Sequence, residues 1–236
     1  MGGLDPRLSR AISAHALISA GLSFAHSLRV RGLRRTLLFA ALGSAIPILG
    51  ELLTINVLKL LRHHVRPQVA GVPLAVALGW YNVTYGTFAM IESILDVSEP
   101  REGERSRTLS PAAALAATSL DLLLDPAGLD LGLWQWSVDG PYAAEVEGPG
   151  GMRGVPLLNF AGWFGMTAGV TLAYERLGPV VAASSGGIGG PEAGRSAALL
   201  LLSYYLPAAA WAAKGCRRQY LLYSAPFLAM ACVALK

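Results

Sequence analysis

The chain has 236 residues, of which 53% are hydrophobic and 14% are charged. Soluble domains carry roughly a quarter charged residues, so this deficit argues against a protein surrounded by water. The net charge of +4 does not indicate a nucleic-acid partner, because the Lys and Arg residues fall at the ends of apolar runs, where cations anchor helices at a membrane interface. The length fits one integral membrane domain over residues 1–236.

Apolar runs, taken in chain order, predict about seven transmembrane helices. Each is close to the ~20 residues that cross the hydrocarbon core of a bilayer. A spanning backbone satisfies its own hydrogen bonds only as a helix or a closed barrel, and the short alternating segments of barrel strands are missing from the sequence. We therefore predict an all-α, polytopic helical bundle, multi-pass in the cell membrane, with spans at roughly 11–28, 36–61, 72–95, 111–132, 155–175, 196–213 and 219–235.

A phrase of the form GVPLxxxxGW occurs twice, at residues 71–80 and at residues 154–163. Each copy opens a long apolar run, and one helical hairpin separates the two copies, so both helices are predicted to begin on the same side. A plain helix start is the simplest role, since proline is well tolerated there. The two copies predict an internal helix-hairpin repeat with units at about 36–95 and 111–175.

Acidic residues inside the apolar runs are the strongest functional signal. Glu51 lies in the second predicted span, and Asp121 and Asp125 lie in the fourth. An ionisable group at membrane depth costs at least a few kcal/mol, which makes it a functional candidate by default. The two aspartates are four residues apart and share a helix face. One of them, kept neutral, can donate a proton; the alternative for Asp125 is a helix cap before Pro126.

Aromatic residues gather near the same spans. They form either an interfacial belt, which Trp and Tyr favour, or a pocket whose ring faces stabilise positive charge. The pocket is the better interpretation for the two tryptophans that lie deeper in their spans, at positions 80 and 163. The candidate substrate-binding residues are Trp80, Tyr81, Tyr85, Trp134, Trp136, Phe160 and Trp163.

Several phrases stand in a distinctive order: DLLLDP at 121–126, Trp134-Gln135-Trp136, Gly140, Tyr142 and GVPLLNFAGW at 154–163. In this order they resemble the carotenoid biosynthesis protein family, and the resemblance covers roughly residues 45–175. It implies a carotenoid hydratase, a lyase that adds water across a terminal isoprenoid C=C of a long acyclic polyene by acid catalysis. The catalytic positions that the resemblance implies are Glu51, Asp121, Asp125 and Asn159.

The implied mechanism requires no metal ion and no organic cofactor. Asp121 or Asp125 would protonate the alkene, and Glu51 or Asn159 would orient the water. Asn159 has a simpler alternative role as a polar residue that joins helices. The expected partners are the lipid bilayer and a hydrophobic carotenoid substrate, with no nucleic acid, and the sequence does not define the oligomeric state.

Two other classes of function stay open at this point. A magnesium-dependent membrane prenyltransferase also uses aspartates in a helical bundle, but several carboxylates are needed to hold Mg²⁺ on a diphosphate, and a second aspartate-rich motif is missing. A non-enzymatic carotenoid- or lipid-binding membrane protein would keep the pocket without the chemistry. A transporter is a weaker option, because no pair of broken helices is evident.

Overall fold

The computed structural model describes residues 4–95, 104–181, 191–215 and 217–235. It is 76% helical, so the mostly helical character is confirmed. The α-helices are α1 (Pro6–Leu52), α2 (Leu74–Ile94), α3 (Glu104–Asp130), α4 (Leu157–Val181), α5 (Pro191–Lys214), α6 (Gln219–Tyr223) and α7 (Ala225–Ala234), and a short π-helix (Leu53–Val57) follows α1.

Helix α1 consists of two arms that meet at Gly32. Gly32 has φ 74° and ψ 167°, a conformation that glycine adopts at little cost. The hydroxyl oxygens of Ser27 and Thr36 lie 3.0 Å apart, whereas nine residues of straight helix extend about 13.5 Å. The chain therefore reverses at Gly32, between the first two predicted spans.

Three stretches of the described chain are long and apolar enough to cross a membrane, namely Pro6–Val57, Thr108–Asp130 and Ala193–Lys214. Seven spans are not confirmed. The predicted seventh span, residues 219–235, is divided at Ser224 into α6 and α7, which have 5 and 10 residues. A 10-residue helix is about 15 Å long, roughly half the thickness of the hydrocarbon core.

Six short strands were missed by the all-α prediction. They lie in the two connections α1–α2 and α3–α4 and form three antiparallel pairs, β1 with β4, β2 with β3 and β5 with β6. Because of these strands, the second predicted span ends earlier than expected, and the third and fifth begin later. The strands are β1 (Leu61–His63), β2 (Gln68–Val69), β3 (Val72–Pro73), β4 (Trp134–Trp136), β5 (Tyr142–Glu147) and β6 (Arg153–Val155).

The two GVPL copies adopt similar local structures. Gly71 and Gly154 both have positive φ, at 86° and 73°. In each copy a short strand follows or contains the glycine and a long helix begins directly afterwards. The rings of Trp80 and Trp163, which close the two copies, lie 4.1 Å apart between centroids. The helix starts are therefore adjacent, while duplication of the complete hairpins remains a prediction.

The core lies where α1 packs on α2 and α4, α3 packs on α4, and α2 packs on α5. Its centre is a group of aromatic rings from three helices. The ring of Phe39 contacts those of Tyr85, Phe88 and Tyr174 at centroid distances of 5.4, 5.5 and 4.8 Å. This packing fixes the helices whose ends surround the candidate site.

Candidate functional site

A cavity of about 500 Å³ is lined by residues of α1 to α5 together with β1 and β4. This volume falls within the range of small-molecule binding pockets, roughly 300–1,000 Å³. Its lining is predominantly apolar, as a hydrophobic ligand requires. The exceptions include three acids, two histidines and a few neutral polar groups: Glu51, Asp121, Asp125, His15, His63, Asn159, Ser203 and Tyr204.

Asp121 and Asp125 form a buried pair bridged by Asn159. The Asn159 Nδ2 donates to Oδ2 of Asp121 at 2.7 Å and to Oδ2 of Asp125 at 3.0 Å. The aspartates are only 2% and 3% exposed. Their spacing places both on one face of α3, and Asn159 reaches them from the first turn of α4. One amide therefore holds two carboxyl groups at the cavity wall.

Pro126 follows the pair without ending the helix, which continues to Asp130. A helix cap is therefore not the role of Asp125. Proline has no N–H, so the carbonyl four residues earlier, that of Leu122, loses its helical partner. The Tyr142 hydroxyl donates to this carbonyl at 2.6 Å. Tyr142 thereby supplies the missing hydrogen bond to the Leu122 carbonyl and connects β5 to the turn of α3 that carries Asp121 and Asp125.

Glu51 approaches the same cavity from the end of α1. Its Oε1 accepts from Trp80 Nε1 and its Oε2 bonds His63 Nε2, each at 3.0 Å. The residue is 8% exposed and lies just before the π-helix, a distortion that is frequent at functional sites. Glu51 is close enough to Asp121 and Asp125 to interact with both electrostatically. The three acids thus meet at one cavity.

His63 was not among the sequence-predicted site residues. It belongs to the basic segment that was interpreted only as the end of the second predicted span. No helical periodicity distinguishes it from its neighbour His64. Pairing of β1 with β4 sets His63 opposite Trp134 and Leu61 opposite Trp136. The pairing joins residues more than seventy positions apart, so no local sequence pattern predicts it.

Trp134 and Trp136 line the cavity beside Asp125. Both indole N–H groups are buried and lie close enough to the Asp125 carboxyl to interact with it. Trp134 packs against α3 at Gly128, where a Cβ would lie 2.1 Å from the ring carbon Cζ2. Glycine at this position therefore permits the approach of the indole to the helix.

The seven predicted substrate-binding aromatics divide into two groups. Trp80, Trp134, Trp136 and Trp163 line the cavity. Residue 85 is five positions after Trp80, about 140° around the helix, and its ring faces the aromatic core instead. The remaining aromatics also lie outside the lining, since Tyr81 stacks on Tyr85 and Phe160 packs on Tyr142.

We predict that Gly128→Ala displaces Trp134 from the cavity wall and lowers the free energy of unfolding by about 1–3 kcal/mol, the cost of an overpacked contact. The added methyl group would lie 2.1 Å from the ring carbon Cζ2, so the indole must move away from the helix. The measurement is the thermal midpoint of the purified chain, compared with that of Gly165→Ala, where nothing lies within 4 Å of the added Cβ. Equal midpoints for the two variants would contradict the prediction.

Within the described ranges, no three Asp, Glu, His or Cys side chains are grouped as the ligands of a metal ion would be. The site therefore offers carboxyl groups, an imidazole, an amide and indole N–H groups around an apolar space. Such a set can donate and accept protons beside a hydrophobic molecule. It can also orient water through these donors and acceptors.

The chain belongs to a family of proteins from carotenoid biosynthesis. The family model described as carotenoid biosynthesis protein matches residues 12–185, which confirms the resemblance found in the sequence and includes every catalytic candidate. No curated protein and no solved structure gives a significant match.

Proposed function

We propose that this chain is a carotenoid hydratase that adds water to a terminal isoprenoid C=C of a long acyclic polyene. The observation that carries the proposal is the meeting of Glu51, Asp121 and Asp125 at one apolar cavity. An apolar cavity suits a hydrocarbon substrate, and buried acids supply the proton that an unactivated alkene requires. Membership of the carotenoid biosynthesis family supports the substrate class.

The aspartate pair is the proton donor in this proposal. Two negative charges repel each other strongly in an apolar environment, so two adjacent carboxyl groups can share one proton. Asn159 donates to both, at 2.7 and 3.0 Å, and holds them in place. The shared proton moves to the less substituted alkene carbon, and a C–H bond forms as the π-bond breaks. The other alkene carbon becomes a tertiary carbocation.

Water then attacks this carbocation. The Trp80 and Trp163 rings, 4.1 Å apart, are aromatic faces that stabilise positive charge. Glu51 orients the water through the groups that it holds, since its two oxygens bond Trp80 Nε1 and His63 Nε2, each at 3.0 Å. A C–O bond forms, the resulting oxonium releases one proton to a base in the site, and the aspartate pair is reprotonated. The net reaction consumes one water molecule and no cofactor.

The proposal is tested by expressing the chain in lycopene-producing cells and measuring the pigment masses. We expect a new pigment that is heavier by one molecule of water, or by two if both ends react. Cells that carry the empty vector are the control. Unchanged pigment in cells that contain the folded chain would contradict the proposal.

The membrane prenyltransferase is the alternative that a simple measurement separates from the hydratase. It would depend on Mg²⁺ and on a prenyl diphosphate, and its product would gain a prenyl group. We predict that hydration by isolated membranes is unchanged by EDTA and needs no diphosphate. Loss of activity with EDTA, restored by Mg²⁺, would favour the prenyltransferase.

The placement of the chain is part of the same proposal. We propose a single domain over residues 1–236 that crosses the cell membrane several times and takes its substrate from the bilayer. The three long apolar stretches support membrane insertion. The adjacent starts of α2 and α4 support an internal duplication of the two hairpins.

A further inference from the structure

The His63 imidazole has a hydrogen-bonding position that no described residue fills. His63 lines the cavity and is 7% exposed. Its Nε2 bonds Glu51 Oε2 at 3.0 Å, whereas its buried Nδ1 has no hydrogen-bond partner among the described residues. Buried polar atoms without partners are rare in folded proteins. A ligand is the simplest partner for an atom in this position.

The bond to Glu51 determines which proton His63 carries. A carboxylate only accepts hydrogen bonds, so the hydrogen lies on Nε2 and the neutral ring keeps its lone pair on Nδ1. The same arrangement, a carboxylate that orients an imidazole whose other nitrogen accepts a proton, serves general-base catalysis in unrelated enzymes. Trp80 occupies the other oxygen of Glu51 at 3.0 Å, which fixes the carboxylate further.

The backbone of His63 is fixed independently of its side chain. Its strand pairs with β4, and Gln68 Nε2 donates to the carbonyl oxygens of His63 and Val65 at 2.9 and 2.8 Å. The side chain is therefore not required to hold the loop. A substitution of the imidazole is expected to leave the fold of this segment in place.

We propose that His63 is the catalytic base that takes the proton from the attacking water. This inference rests on the proposed hydratase function and names the base that the function requires. As the water oxygen bonds to the tertiary carbocation, one O–H bond breaks and its proton moves to Nδ1. The imidazolium that forms lies beside the Glu51 carboxylate, which stabilises it. The proton then returns through water in the cavity to the aspartate pair, and the cycle closes.

The proposal separates two steps that one experiment can measure. In D₂O, protonation by the aspartate pair delivers deuterium to the alkene, and a carbocation that is not captured by water loses either that deuterium or a hydrogen from the same carbon or an adjacent methyl group, so that part of the recovered alkene retains the label. Deuterium in the recovered polyene therefore reports the acid step. Formation of the hydrate reports the acid step and the capture of water together.

The test uses the full chain in membranes with lycopene as the probe. The informative variant is His63→Gln, whose side-chain amide can still donate to Glu51 but cannot take a proton at the Nδ1 position. We expect hydrate formation to fall by about 10²-fold or more, the size of a general-base contribution. Deuterium uptake into lycopene is expected to continue. The control is His64→Gln, since His64 bonds Gln135 at 3.1 Å; both readouts should match wild type.

Each other outcome overturns the proposal in a distinguishable way. If His63→Gln makes hydrate at the wild-type rate, His63 is not the base. If it loses hydrate and deuterium uptake together, the side chain has a structural role that affects the acid step as well. If wild type itself shows neither hydrate nor deuterium uptake, the proposed hydratase function fails, and the role of His63 fails with it.

Discussion

Asp121→Asn is expected to reduce hydrate formation by about 10²–10⁴-fold, the range for loss of a positioned proton donor. The asparagine keeps the shape of the side chain and an oxygen that can accept from Asn159 Nδ2, which now lies 2.7 Å from Asp121. The fold and the binding of polyene should therefore persist while the proton is lost. The measurement is the initial rate of hydrate formation, with bound pigment determined by absorbance.

The neighbouring aspartate supplies an internal check. If Asp121 and Asp125 share one proton, Asp121→Asn and Asp125→Asn act on the same unit, and their effects do not add. The double variant should be about as slow as the slower single variant. Asp139→Asn is the matched control, because Asp139 is exposed and accepts from the Arg153 backbone N–H at 2.7 Å, away from the cavity. Turnover of Asp121→Asn within about threefold of this control would argue against an aspartate donor.

Among the single variants named, Arg31→Met is expected to cause the largest decrease in the free energy of unfolding. Arg31 NH2 lies 2.5 Å from Glu92 Oε2, and the two side chains are 7% and 15% exposed. The guanidinium also lies 4.8 Å from the centroid of the Phe88 ring. Removing one member of a buried ion pair costs about 3–5 kcal/mol. The measurement is the thermal midpoint of the purified chain in detergent.

Two further variants make the stability prediction specific. The double variant Arg31→Met/Glu92→Met should recover part of the loss, because apolar replacement of both members removes both charges of this pair. Arg153→Met is the matched control, since Arg153 and Glu147 form an exposed pair at 2.9 Å and such pairs contribute about 0–1 kcal/mol. Equal thermal midpoints for Arg31→Met and Arg153→Met would contradict the prediction.

The helices were predictable because their signal is local. Long apolar runs locate α1 to α5, although the predicted ends differ from the observed ones by up to nine residues, and the basic segment around Gly32 divides the first run. The short strands carry no such signal. For Trp134 and Trp136 the sequence leaves an interfacial belt and a pocket open, and the pairing of β4 with a segment more than seventy residues earlier makes them part of a cavity wall.

The acids of the site were predictable for an energetic reason. A carboxyl group inside an apolar run is costly, so Glu51, Asp121 and Asp125 stand out without any structure. The aromatic neighbours were less predictable, because helical rotation decides which of them face the cavity. Trp80 faces the cavity, while Tyr85 faces the aromatic core. His63 was missed because a histidine in a polar connection has no unusual energetic cost that would mark it in the sequence. Its importance follows from its hydrogen bond to Glu51 Oε2, 3.0 Å away.

The central claim is that the buried aspartate pair protonates a polyene alkene so that water adds to it. The most direct measurement incubates the purified chain with lycopene in ¹⁸O-labelled water and follows the product by mass. The account predicts a product that contains one labelled oxygen and two additional hydrogens for each reacted end, formed about 10²–10⁴-fold more slowly by Asp121→Asn. Labelled product from Asp121→Asn at the wild-type rate, or unaltered lycopene from the folded wild-type chain, would contradict it.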